Sequence, residues 1–159
     1  MATLKVKIQE DIILENQDYG SKRTLEIGSI ASIVKRIVSI GTSEIGLLGF
    51  GTAYNTELSK TYLAGQFDED NVRYIRITNL DTTNHIALVL KNENNDEFGV
   101  KVDKGCSFLY CADLNGGVVD TMDSADAAGI TPNSFGDLVD ITCTADTAAC
   151  NVEVFVAST

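Results

Sequence analysis

The chain has 159 residues, 44% of them apolar and 22% charged, with twelve basic against twenty-three acidic side chains and a formal net charge of -11. That length buries a core without covalent staples, and that apolar content argues against a disordered chain. The scarcity of Lys and Arg argues against nucleic acid as a partner, since phosphate contact needs clustered basic residues.

The opening, MATLKVKIQEDII, is broken early by charges and has no apolar core of signal-peptide length. No run approaches the ~18 apolar residues of a membrane helix. Synthesis in a cytoplasm, reduced thiols and no membrane partner are therefore expected.

Alternation dominates the chain order. In TLKVKIQ (3–9), Leu4, Val6 and Ile8 share one face and Lys5 and Lys7 the other, the period-2 pattern of a half-buried strand. DIILE (11–15) and TLEIGSI (24–30) continue in kind around the turn-rich NQDYGSK. Residues 30–40, IASIVKRIVSI, fit two templates. Ile30, Ile33, Val34, Ile37 and Val38 form a helical stripe between a Ser29 cap and a Gly41 stop. Ile and Val dominate the run, however, and β-branched side chains favour the pleated sheet, so a strand is expected.

EIGLLGFG (44–51) reads as a strand with glycines at bulges or close contacts. Residues 52–71 read as a long loop. Strands follow at VRYIRITNL (72–80), HIALVLK (85–91), FGVKVDK (98–104) and CSFLYC (106–111), joined by the turn formers DTTN and NENNDE. A second loose region covers 112–137 and holds the only proline, Pro132. LVDITC and CNVEVFV, around TADTAA, close the chain as an expected final hairpin. The expected fold class is all-β: one antiparallel β-sandwich or jelly-roll-like barrel spanning 1–159, with about eight to ten strands and two long loops. Residues 1–20 are expected to form an extended arm that contributes a strand.

Chemistry is sparse. The only histidine, His85, sits where a turn meets a strand and reads as an ordinary strand-end residue. The nucleophile-elbow, phosphate-loop and zinc-protease motifs are absent. No catalytic residue, enzyme activity or cofactor is expected. Asp120, Asp123 and Asp126 in DTMDSAD are weak calcium candidates, as are Asn92, Asn94 and Asp96 in NENNDE. Both sets lack the glycine and terminal acid of an EF-hand loop, and solvated acidic turns account for them.

The cysteines 106, 111, 143 and 150 are spaced C-x4-C and C-x6-C, without the tight knuckles of a zinc ribbon. The odd separation of Cys106 and Cys111 sends their sulfurs to opposite faces of a strand. Cys143 shares a face with Val139 and Ile141, and Cys150 one with Val152, Val154 and Val156. A hairpin centred on Asp146 and Thr147 would set Cys143 opposite Cys150, as a strained disulfide or a pair of buried thiols. The thiol pair is the expected reading.

The run VRYIRITNLDTTNHIALVLKNENNDEFGVKVDKGCSFLY, with ADTAACNVEVFVAST near the end and KRIVSIGTSEIGLLGFG upstream, resembles small virion structural proteins of tailed, especially marine, bacteriophages. The likeness spans about two thirds of the chain and leaves 52–71 and 112–137 unmatched. It implies an all-β, non-enzymatic, homo-oligomeric component of the virion, made in the host cytoplasm, whose partners are the major capsid protein or other virion proteins. A capsid decoration or cement role is the leading expectation. The alternatives are a tail, neck or head-fibre component, or a receptor- or glycan-binding module. The four cysteines depart from the residue types expected at those positions. A strand-addition arm carrying Leu4, Val6 and Ile8 suits assembly by association.

Overall fold

A computed structural model describes residues 1–51, 62–111 and 135–159. Alternating β-branched sequence becomes strand along most of them. In chain order the strands are β1 (Ala2–Glu10), β2 (Ile13–Leu14), β3 (Gln17–Asp18), β4 (Ser21–Ile30), β5 (Ser32–Ile40), β6 (Ile45–Phe50), β7 (Gly65–Phe67), β8 (Val72–Asn79), β9 (Ile86–Asn92), β10 (Glu97–Val102), β11 (Ser107–Tyr110), β12 (Leu138–Ala145) and β13 (Cys150–Ser158). Among the described residues one 3-10 turn, Glu69–Asn71, lies between them. The count among the described residues exceeds the expected eight to ten; β3 and β7 are too short for alternation to reveal, and β2 is a two-residue piece of the DIILE run.

Two sheets form the body: β10-β9-β12-β6-β7 and β11-β8-β13-β5. All pairings in them are antiparallel except β6 with β7, which is parallel. The second, β7, falls inside the stretch expected to be loop. The fold is a β-sandwich, as the strand pattern implied.

The ambiguous 30–40 run resolves as β5, in unbroken register with β13 from Ser32↔Ser158 to Ile40↔Cys150. The inward residues of each sheet interleave in one core. Ile75 and Ile77 of β8 and Val152, Val154 and Val156 of β13 meet Leu88 and Leu90 of β9 and Ile141 of β12. These side chains are almost wholly removed from water. Each contributes roughly 1.5–3 kcal/mol of transfer free energy.

One expectation fails here. LVDITC and CNVEVFV do not form a hairpin ladder. β12 pairs with β9 and β6, whereas β13 pairs with β8 and β5 in the other sheet. The 146–149 turn carries the chain across the sandwich. Parity placed both cysteines inward correctly, but inward-facing residues meet across a core as readily as along a ladder.

The body's turns are held by buried amides. Asn79 Nδ2 donates to the carbonyls of Asn84 (2.9 Å) and Val102 (3.3 Å), and its Oδ1 accepts from the Asp81 amide at 3.0 Å. Asp81 in turn accepts from the amides of Thr83 and Asn84, which holds its carboxyl below the usual range. Gly49 lets the Tyr62 ring lie on the β6 backbone, since a Cβ there would stand 2.5 Å from Cε2.

Candidate interaction surface

The residues that stand apart from the body are the first thirty. β1 pairs with β4, in a two-stranded sheet of its own, with Leu4↔Ile27, Val6↔Leu25 and Ile8↔Arg23 in register. The arm expected over 1–20 is therefore a hairpin reaching Ile30, because strand 24–30 satisfies the β1 backbone within the chain. Only Ala31 separates β4 from β5, so the sheet's edge strand runs on into the ribbon. Ser29 takes a left-handed conformation at this junction, with φ 61°, which costs about 1–3 kcal/mol and re-aims the strand.

The ribbon is amphipathic. Leu4, Val6, Ile8, Leu25 and Ile27 line one face, with the charge of Arg23 set opposite Ile8 among them, while Lys5, Lys7, Lys22, Thr24 and Glu26 take the other. Lys5 Nζ lies 2.7 Å from Glu26. At its root, Leu4, Val6, Ile27 and Ile30 pack on Tyr74, Phe155 and Ala157 of the outer face of the β5-containing sheet. Farther out the same stripe is in water. Ile8, Leu25 and the tip residues Ile12, Ile13, Leu14 and Tyr19 are all exposed, Ile13 by 76%. The tip is closed by the β2/β3 turn, where Glu15 and Asn16 adopt positive φ. Shaft and tip differ in charge: Lys5, Lys7, Lys22 and Arg23 lie along the shaft, and Glu10, Asp11, Glu15 and Asp18 around the tip.

The outer face beside the ribbon root adds exposed Ile33 and Ile37 on β5 and Leu109 on β11. Among them sits a charge cluster in which Glu153 meets Lys35 at 3.1 Å and bonds Arg76. Arg76 also lies 5.9 Å over the Phe155 ring. The hydrogen bond from Lys35, followed by the Arg76 contacts, holds the Glu153 carboxyl below the usual range. Sequence reading did not single out this face. The signal was there in β5, where Ile33 and Ile37 take the side opposite Val34 and Val38.

The other candidate residues scatter. Asp120, Asp123 and Asp126 lie outside the described residues. Asn92, Asn94 and Asp96 form a closed turn: Asn92 Oδ1 accepts from the amides of Asn94 and Asp96, and Nδ2 donates to Asp96 at 2.8 Å. Asn92 Oδ1 and an Asp96 carboxylate oxygen are thus engaged by the chain's own donors, and Asn94 is exposed. Among the described residues no three His, Cys, Asp or Glu side chains are grouped to hold a metal ion. His85 Nδ1 is 3.4 Å from Asp146 at the sandwich rim. Cys143 and Cys150 are buried free thiols, and Cys106 and Cys111 exposed ones. Burial, with the neighbouring Cys150 sulfur, pushes the Cys143 thiol up to about 12. Cys150 Sγ donates to the Ala148 carbonyl at 3.5 Å.

No helix among the described residues is long and apolar enough to cross a membrane. No protein-family model matches the chain, and no curated protein matches it.

Proposed function

We propose that the protein is a structural component of a tailed-bacteriophage virion, a decoration or cement protein that binds the assembled head. It works by association with the major capsid protein and carries out no reaction. The observation that supports this reading is the hairpin ribbon, whose distal apolar stripe lies in water. A two-stranded ribbon is marginal by itself, and contiguous exposed apolar surface marks a contact site. The ribbon also offers open strand edges, through which backbone hydrogen bonds supply affinity. Repeated copies on a shell let each contact be modest.

The test mixes purified protein with phage heads that lack it and locates it in the density by electron microscopy. The expected result is saturable binding on the order of hundreds of copies, lost when residues 1–29 are removed. Density confined to the tail or neck, in about six or twelve copies, overturns the decoration role.

A further inference from the structure

The ribbon has two outer edges, and their charges treat a second copy of the chain differently. β4 is paired with β1 on one side and unpaired on the other among the described residues. Two copies of one strand that pair antiparallel about a two-fold axis oppose residues whose numbers have a fixed sum. That sum must be even for Leu25 and Ile27 of both copies to share a face.

For β4, centring on Arg23 sets Arg23 against itself, and centring on Glu26 sets Glu26 against itself. Centring on Leu25 places Lys22 against Gly28 and Glu26 against Thr24, with no opposite charges matched. Centring on Thr24 sets Lys22 of each copy against Glu26 of the other, twice. It also sets Arg23 against Leu25, and so leaves no like charges directly opposed. On the β1 edge no such register matches opposite charges within Ala2–Glu10, and the central ones oppose lysines. Centring on Lys5, Val6 or Lys7 brings Lys5 to Lys5, Lys5 to Lys7, or Lys7 to Lys7. Like charges directly opposed destabilise a pairing, and edge lysines are a recognised guard against it.

We infer that the protein forms a two-fold dimer by antiparallel pairing of β4 with β4 of a second copy, centred on Thr24. The product is a four-stranded β1-β4-β4-β1 sheet. Through the existing register, Lys5 and Glu26 of one copy extend into Lys22 and Gln9 of the other, a row of alternating character. Leu4, Val6, Ile8, Leu25 and Ile27 from both copies join on one face, with each Arg23 flanked by Ile8 and the other copy's Leu25. Four strands with an apolar face meet the requirement for independent stability that two strands do not. A self-complementary contact of this kind closes on itself instead of growing into a filament. The inference goes beyond the proposed virion role and concerns the free chain alone.

The experiment uses the full chain carrying Cys106→Ser and Cys111→Ser, with Thr24→Cys, Leu25→Cys or Lys7→Cys added singly. Circular dichroism checks each fold. Sedimentation is expected to show a dimer at micromolar concentration, and mild oxidation to yield a covalent dimer for Thr24→Cys above the other two. In the natural sequence, Lys22→Glu is expected to weaken dimerisation roughly tenfold, and Lys22→Glu with Glu26→Lys to restore it to within about threefold. A monomer at every concentration overturns the inference. So does preferential cross-linking through Leu25→Cys or Lys7→Cys, or an affinity that Lys22→Glu leaves unchanged. Because these readouts report the free chain, their failure is distinct from a failure to bind heads.

Discussion

β9 and β1 are strands of similar length with the same alternating grammar, and their surroundings could hardly differ more. Along Ile86–Asn92 every second residue is buried, because the β5-containing sheet lies against that face. Along Ala2–Glu10 the residues at those alternate positions are at best half-buried, and only near the root. Alternation thus encodes that a face exists, while the partner that covers it is decided elsewhere in the chain or outside it. The body's apolar faces cover one another. The ribbon's face is covered by Tyr74, Phe155 and Ala157 for its first turns and then runs out of protein.

This contrast can be broken most sharply by matched truncations. Leu88→Ala, at a fully buried site in the body, is expected to cost about 2–5 kcal/mol in urea unfolding. Ile13→Ala at the ribbon tip is expected to cost less than about 0.5 kcal/mol. Equal losses would mean that the tip is packed against something in the free chain. Next in size, Gly49→Ala drives a methyl group into the Tyr62 ring and is expected to cost about 1–3 kcal/mol by overpacking, again read by urea titration. Gly28→Ala in the ribbon meets open space and should leave the midpoint nearly unmoved.

A smaller effect is expected from acid. The Glu153 carboxyl is held below its ordinary range by Lys35 and Arg76, so its contribution is complete above the unfolded value of about 4.3. It is lost as pH falls through the lower folded value. Thermal melts between neutral pH and pH 3 should show this loss, and Glu153→Gln should flatten that part of the profile. Deleting the ribbon tip should leave it unchanged.

The smallest energetic effect attaches to the thiols. In the native protein at pH 8, alkylation followed by mass measurement should modify Cys106 first. Cys111 should follow more slowly, since burial raises its thiol. Cys143 and Cys150 should react only after unfolding, and the mass before treatment should show no disulfide.

The all-β class was legible because β-branched residues alternate over run after run, and even the ambiguous IASIVKRIVSI yielded to its Ile and Val content. Partnership was not legible. The ladder imagined for Cys143 and Cys150 became a crossing between sheets, since parity reports the face of a strand and is silent on its neighbour. β7 was missed because Gly65–Phe67 offers three residues, too few for any period, and its partner β6 is parallel. The arm's apolar stripe of Leu4, Val6 and Ile8 was visible from the start, whereas its pairing with β4 required the register. The exposed Ile33 and Ile37 were hidden by their own hydrophobicity, which invites burial in any reading from sequence.

β13 lies between β5 and β8, yet it comes last of the three in the chain. On a ribosome, β5 and β8 would wait side by side with no strand to join them until residues 150–158 are made. Most of the sandwich is therefore committed late and all at once, through pairings distant in sequence, which makes for slow folding. The β1/β4 ribbon needs only neighbours within thirty residues and can zip while the rest is still being synthesised. The segment least protected in the finished protein is the one whose own pairing is ready first.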